Sequence, residues 1–257
     1  MKRIALMAMT ALIALMATAV PASAIIVKSQ QKFTAKVTPA KAGTKSKPRP
    51  VSLTANPFFD DISADLNDQV QFATVNANVF FPKDAVFNGK YFPSCAPTTV
   101  FQDESRCPRG SLVGTAVGRG LGLGLDETVK GKFFNLPGGK GETLLVTGES
   151  PLIIREIVGA TLTTLSDPLY RYKLTFSVPQ NLQSPAPGVI AAVMAFNTKI
   201  PVQYVTKKKK KKIPYLASSG CTGGKWNFKY VADYTTSYDG TLDGGTQTVE
   251  TSQPCQK

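Results

Sequence analysis

The stretch Leu169-Tyr-Arg-Tyr-Lys-Leu-Thr-Phe-Ser-Val178 decides the fold class. Its alternation places Tyr170, Tyr172, Leu174, Phe176 and Val178 on one side of an extended chain, and Arg171, Lys173, Thr175 and Ser177 on the other. Successive side chains of a strand point to opposite faces, so the pattern predicts a half-buried antiparallel strand. The same period recurs in Trp226-Asn-Phe-Lys-Tyr-Val-Ala-Asp-Tyr234, where Trp226, Phe228, Tyr230, Ala232 and Tyr234 share a face. An exposed row of such rings would suit sugar stacking. Exposed apolar patches of that size are uncommon, and the row is expected in the core.

Outward from these two runs the chain reads as short strands divided by turns. Phe33–Val37, Val51–Ala55, Gln69–Phe81, Val129–Leu136, Glu142–Gly148 and Pro151–Thr164 are rich in Thr, Val, Ile, Leu and aromatic residues. Asn88-Gly89, Pro137-Gly-Gly139, Glu149-Ser-Pro151 and Ser166-Asp-Pro168 are turn signals. Asn56–Asp68 is the best candidate for one short helix, with Phe59, Ile62 and Leu66 at helical spacing. Many short strands with frequent turns predict an all-β fold: an antiparallel β-sandwich, immunoglobulin-like in broad architecture, with at most one short helix. Within Val113–Leu125, Gly118, Gly120, Gly122 and Gly124 alternate with larger residues, which leaves one strand face bare. A neighbouring backbone or aromatic ring is expected against it. The dinucleotide-binding glycine pattern fails there, because the last glycine and the following helix are missing.

The 257-residue chain opens with basic Met1-Lys-Arg3, an apolar run Ile4–Val20, and small residues Pro21-Ala-Ser-Ala24. That order predicts a secretory signal over residues 1–24, cleaved near Ala24, and a single domain over 25–257. A run of 17 residues is shorter than the roughly 20 that cross a bilayer comfortably, and no later segment is long and apolar enough to be a transmembrane helix. The formal net charge of +13 is concentrated in two blocks. One spans Lys28–Arg49. The other is the unbroken row Lys207, Lys208, Lys209, Lys210, Lys211 and Lys212, flanked by the strand-like Val202–Val205 and Ile213–Leu216. Six adjacent like charges stay in water, so the row predicts a hairpin connection or a charged edge. If it has a partner, that partner is an anionic envelope polymer or extracellular ligand, held weakly and with strong salt dependence. Nucleic acid would call for interleaved aromatics or arginines, and is not expected.

Four cysteines in an exported chain fit a disulfide framework with three possible connectivities. The local pairs Cys95–Cys107 and Cys221–Cys255 are preferred. Zinc would want closer cysteine pairs, and the chain has no histidine. The lack of histidine also removes Ser-His-Asp and Cys-His catalysis. Gly110-Ser-Leu-Val-Gly114 misses the nucleophile-elbow spacing, and Gly138-Gly-Lys-Gly-Glu-Thr143 misses the phosphate-loop spacing. Asp60, Asp61, Asp65, Asn67 and Asp68 form an acidic cluster without the glycine and terminal glutamate of a calcium loop. No cofactor or metal is expected.

Five segments, Lys36–Pro48, Phe81–Cys95, Cys107–Ala116, Tyr170–Gln183 and Cys221–Phe228, follow one another in the order KVTPAKAGTKSKP, FPKDAVFNGKYFPSC, CPRGSLVGTA, YRYKLTFSVPQNLQ and CTGGKWNF. With the closing Pro254-Cys255, this succession resembles a family of secreted β-rich proteins of actinobacteria. The resemblance implies an exported protein with paired Cys95, Cys107, Cys221 and Cys255. It also implies that the basic N-terminal stretch belongs to the domain, and it carries over no catalytic residue. The expected function is a non-catalytic protein, secreted or at the cell surface, that associates with the envelope or an anionic ligand. The alternative is a secreted hydrolase built on two carboxylates, which requires a concave pocket with two acids at catalytic distance.

Overall fold

The computed structural model describes residues 30–59, 72–122, 125–150, 152–206, 211–237 and 241–257. The signal-like segment, the acidic cluster and Lys207–Lys210 lie outside the described residues.

The chain is all-β and antiparallel. Its strands are β1 (Gln31–Thr38), β2 (Arg49–Pro50), β3 (Ser52–Phe59), β4 (Ala73–Pro82), β5 (Ala85–Phe87), β6 (Leu112–Gly122), β7 (Leu125–Asn135) and β8 (Gly141–Gly148). They continue with β9 (Ile154–Thr164), β10 (Tyr170–Ser177), β11 (Ala191–Ile200), β12 (Tyr204–Thr206), β13 (Lys212–Pro214), β14 (Leu216–Ser218), β15 (Lys225–Thr235) and β16 (Gly245–Pro254). Eleven of them form one sheet in the order β1-β3-β11-β6-β7-β8-β9-β10-β4-β15-β16. This sheet curls until β1 lies beside β16, so the two faces foreseen for a sandwich belong to one nearly closed barrel, and the arrangement is not immunoglobulin-like. Alternating patterns serve a sandwich and a barrel equally; only the pairing of the end strands separates them.

Parity governs that closure. With eleven antiparallel neighbours the first and last strands run the same way, so the seam is parallel. Over β1 the seam is spanned by glutamine side chains. Gln253 accepts from the Val37 amide through Oε1 at 2.6 Å and donates to the Val37 carbonyl through Nε2 at 2.9 Å. Six residues earlier on both strands, Gln247 Oε1 accepts from the Gln31 amide at 2.7 Å. Main-chain bonds take over just beyond, between Ala42 and Gln256 and between Gln256 and Ala40. The Cys221–Cys255 disulfide fixes the end of β16 beside this point.

One barrel end is plugged. A small sheet, β2-β14-β5, lies across it. Phe87 of β5 packs on Phe81 at 5.0 Å and on Tyr172 at 5.3 Å, while Tyr215 packs on Phe92 at 5.1 Å. Trp226, Phe228, Tyr230, Ala232 and Tyr234 are all buried and face inward, as their spacing predicts. On β10 the expectation needs one correction. Leu174 and Phe176 do face the interior, but the register shifts between Tyr170 and Tyr172. The irregularity turns Tyr170 to the outer face, where it packs on Phe80 and meets Lys229 and Glu250.

The helix also differs from expectation. Asn56–Phe59 ends strand β3, and residues 60–68 lie outside the described residues. A helix, α1 (Pro97–Asp103), instead sits inside the Cys95–Cys107 loop. Its Val100 is buried against Phe134 and Leu145 on the outer wall of the barrel. Arg155 donates to the last-turn carbonyls of α1 and pairs with Glu104. A single turn, α2 (Gln180–Gln183), follows β10.

The glycine face of β6 points inward. An added Cβ at Gly118 would lie 2.6 Å from the Phe196 ring and 2.9 Å from the Ala195 carbonyl, whereas at Gly120 nothing comes nearer than 3.6 Å. Gly118→Ala is therefore expected to cost about 1–3 kcal/mol through overpacking. Gly120→Ala is expected to be neutral or to gain up to about 1 kcal/mol, and chemical denaturation of the two variants checks the contrast. At the seam, Gln253→Ala removes both bonds to Val37 and is expected to lower stability by about 1–3 kcal/mol. Amide exchange at Val37 should accelerate, while amides of the β7–β8 ladder keep their protection.

Candidate functional site

The barrel is not filled. A cavity of about 380 Å³ lies inside it. β6 and β11 contribute Leu121, Phe196 and Ile200 to the lining, but also Gly120, Gly122 and Ala192, which are too small to reach the middle. β7 to β10 contribute Val129, Phe133, Val146, Val158 and Phe176. Leu182, Pro185 and Val189, in and after α2, line it from the end opposite the aromatic plug. At that same end Leu125, Leu152 and Val193 both line the cavity and reach solvent, which marks the mouth.

Polar groups in the lining are few. Gln31 is saturated: it donates to the carbonyls of Lys32 and Phe58 and accepts from the Tyr234 hydroxyl. Thr74, Thr198 and Tyr230 add hydroxyl-bearing side chains, two carboxyl groups stand among them, and no lysine or arginine lines the cavity among the described residues. Glu127 stands near the mouth, its Oε2 accepting from the Leu152 amide at 2.9 Å. Glu142 stands near the plugged end, its Oε1 accepting from the Tyr215 hydroxyl at 2.8 Å. Both are buried, and each has a second oxygen, Oε1 of Glu127 and Oε2 of Glu142, without a partner in the protein.

The two acids lie almost a strand length apart. Glu142 pairs in register with Asn135, eight residues along β7 from Glu127, which is about 26 Å at the rise of a strand. Carboxylate-based glycosidases need their acids about 5–10 Å apart. The cavity thus holds two acids, as the hydrolase alternative required, at a separation that does not suit that chemistry.

The residues singled out by sequence fall elsewhere. Cys95–Cys107 and Cys221–Cys255 are both formed, with S–S distances of 2.06 and 1.96 Å, and they are structural. The strands flanking the lysine row do pair, with Val205 opposite Ile213 and Thr206 opposite Lys212, so the row connects a hairpin. Lys211 and Lys212 are exposed. This hairpin follows the end of β11 at the plugged end, away from the mouth. Among the described residues no three His, Cys, Asp or Glu gather as metal ligands, and no helix is long and apolar enough to cross a membrane.

Glu142 and Tyr215 were not foreseen as a site. They are 73 positions apart, and in the sequence Glu142 stands only as the start of a strand-like run and inside a failed phosphate-loop match. Compared with family models, with curated proteins and with solved structures, the chain has no match in any of the three.

Burial pushes the Glu142 carboxyl up to about 7 from its ordinary 4.5, opposed in part by the Tyr215 hydrogen bond. Burial, and then the neighbouring Glu142, pushes the Tyr215 phenol up as well. Between pH 4.5 and about 7 the folded protein keeps a proton on Glu142 that the unfolded chain has released. This contribution is complete below pH 4.5 and is lost as the pH rises through about 7. Glu104 works in a lower window, since its bond from Arg155 holds it down to about 2. Stability is expected to fall by about 3 kcal/mol from mildly acidic to mildly alkaline pH on account of Glu142. Urea unfolding across that range should show the fall in the wild type and not in Glu142→Gln.

Proposed function

We propose that this protein is an exported β-barrel that holds an apolar small molecule inside the barrel. The carrying observation is the cavity: about 380 Å³, lined almost wholly by apolar side chains, with a few polar groups at fixed places. That volume lies within the range of ligand pockets, about 300–1,000 Å³. Glycines on an inward face keep room for an occupant. The leader-like N-terminus supports export, as do two disulfides of the kind that persist in oxidising compartments. Contact with an anionic envelope polymer through the lysine hairpin would leave the mouth free, because Lys211 and Lys212 belong to the other end.

Titration with the fluorescent dye N-phenyl-1-naphthylamine tests the proposal. Saturable uptake by the wild type is expected. Gly120→Leu projects an isobutyl group into the cavity from a position with space for it, so uptake should weaken more than about tenfold with the unfolding midpoint held. Absence of uptake, or uptake indifferent to Gly120→Leu, would remove the proposal.

A further inference from the structure

The interior acids point to the chemistry of the occupant, provided that the cavity is a ligand site. Glu142 ends the cavity on the plugged side. Tyr215 occupies one of its oxygens from behind, and this tyrosine is itself 3 % exposed and not part of the lining. The other oxygen, Oε2, belongs to a residue 3 % exposed and has no partner. A buried acceptor left unsatisfied is costly, and natural cores rarely leave one without reason. The neighbouring Asn135 does not supply the missing bond. Its Nδ2 donates to the carbonyls of Gly89, Phe92 and Pro93, and its Oδ1 lies against Gly89, away from the lining.

We infer that Glu142 is the anchor for the head group of the bound molecule, and that this molecule is an apolar body ending in a hydroxyl. Two features select the hydroxyl. An anionic head, such as a fatty carboxylate, would face two carboxyl groups with no lysine or arginine in the lining. An ammonium head brings three donors to a place that offers one free acceptor, so two would be buried unpaired. A hydroxyl brings one donor to one acceptor. The alkyl or ring body then lies along Val146, Phe133, Phe176 and Val158 toward the mouth.

Displacement of N-phenyl-1-naphthylamine from the mature protein at mildly alkaline pH, by dodecane, 1-dodecanol, dodecylamine and dodecanoate, tests the assignment. Dodecanol is expected to displace the dye about tenfold more effectively than dodecane, and dodecanoate least of all. Glu142→Leu should erase the preference for alcohol over alkane while alkane competition persists. Glu142→Gln, which keeps an acceptor oxygen, should retain much of it. Failure of dodecane itself to displace the dye would remove the ligand cavity altogether. Displacement by dodecane with dodecanoate or dodecylamine ranked first, or an alcohol preference that survives Glu142→Leu, would overturn the hydroxyl anchor and leave the cavity standing.

Discussion

An antiparallel sheet with an odd number of strands cannot close on itself with an antiparallel ladder. Here the eleventh strand meets the first in parallel, and the two do not share the dense main-chain bonding of the other joints. Gln253 and Gln247 stand in for the ladder by reaching across with side-chain amides, which carry a donor and an acceptor as a peptide group does. Each such bond contributes only about 0.5–1.5 kcal/mol net, yet leaving the Val37 amide and carbonyl unpaired would cost more. The inward positions of β16, Gln247, Val249, Thr251 and Gln253, are mostly polar for this reason: they face a seam rather than a packed sheet. Everything inside the barrel depends on that seam, since an open sheet of this width would expose its apolar face.

The interior is divided unevenly. At one end large aromatics interlock across Phe81, Phe87, Tyr172, Tyr215 and Phe92. Along β6 the inward side chains shrink to Gly118, Gly120 and Gly122, and Phe196 and Val129 cover the first of them. A core built for stability alone would place larger residues there and approach the density of an organic crystal. Both buried carboxyls border the remaining space, where a low dielectric makes an unpaired oxygen expensive. Open space and the unpaired Glu142 oxygen at its plugged end have a common explanation in a molecule that supplies bulk and a donor together.

Local pattern made much of the wall legible and little of its closure. The alternation in Trp226–Tyr234 is strict, and all five expected residues are buried. Leu169–Val178 misled only at Tyr170, because a register shift changes the phase without leaving a mark in composition. β11 was harder still: its ladder is irregular between Val193 and Ala195, which breaks the period across an apolar run. Helix α1 has Pro97 in its first turn, a fair start signal, but no side-chain cap at Ala96 and one buried residue, so it reads as loop. Glu142 could not be picked out at all. What distinguishes it is burial beside Tyr215 from a distant strand, and burial of that kind is a product of topology.

A hollow barrel cannot draw its stiffness from a packed centre, which explains where the two disulfides stand. In the loop-entropy picture, closures of 12 and 34 residues contribute about 3 and about 4 kcal/mol, similar amounts at very different places. Cys221–Cys255 ties down β16 where the seam is weakest. Cys95–Cys107 closes the loop that carries α1 and presses Val100 onto Phe134 and Leu145, the outward neighbours of the wall that bears Glu142 on its inner side. Arg155 joins the same buttress by binding the end of α1 and Glu104. The wall holding the polar end of the cavity is therefore clamped from outside, and its inner face can keep a fixed acceptor beside open space without collapsing onto it.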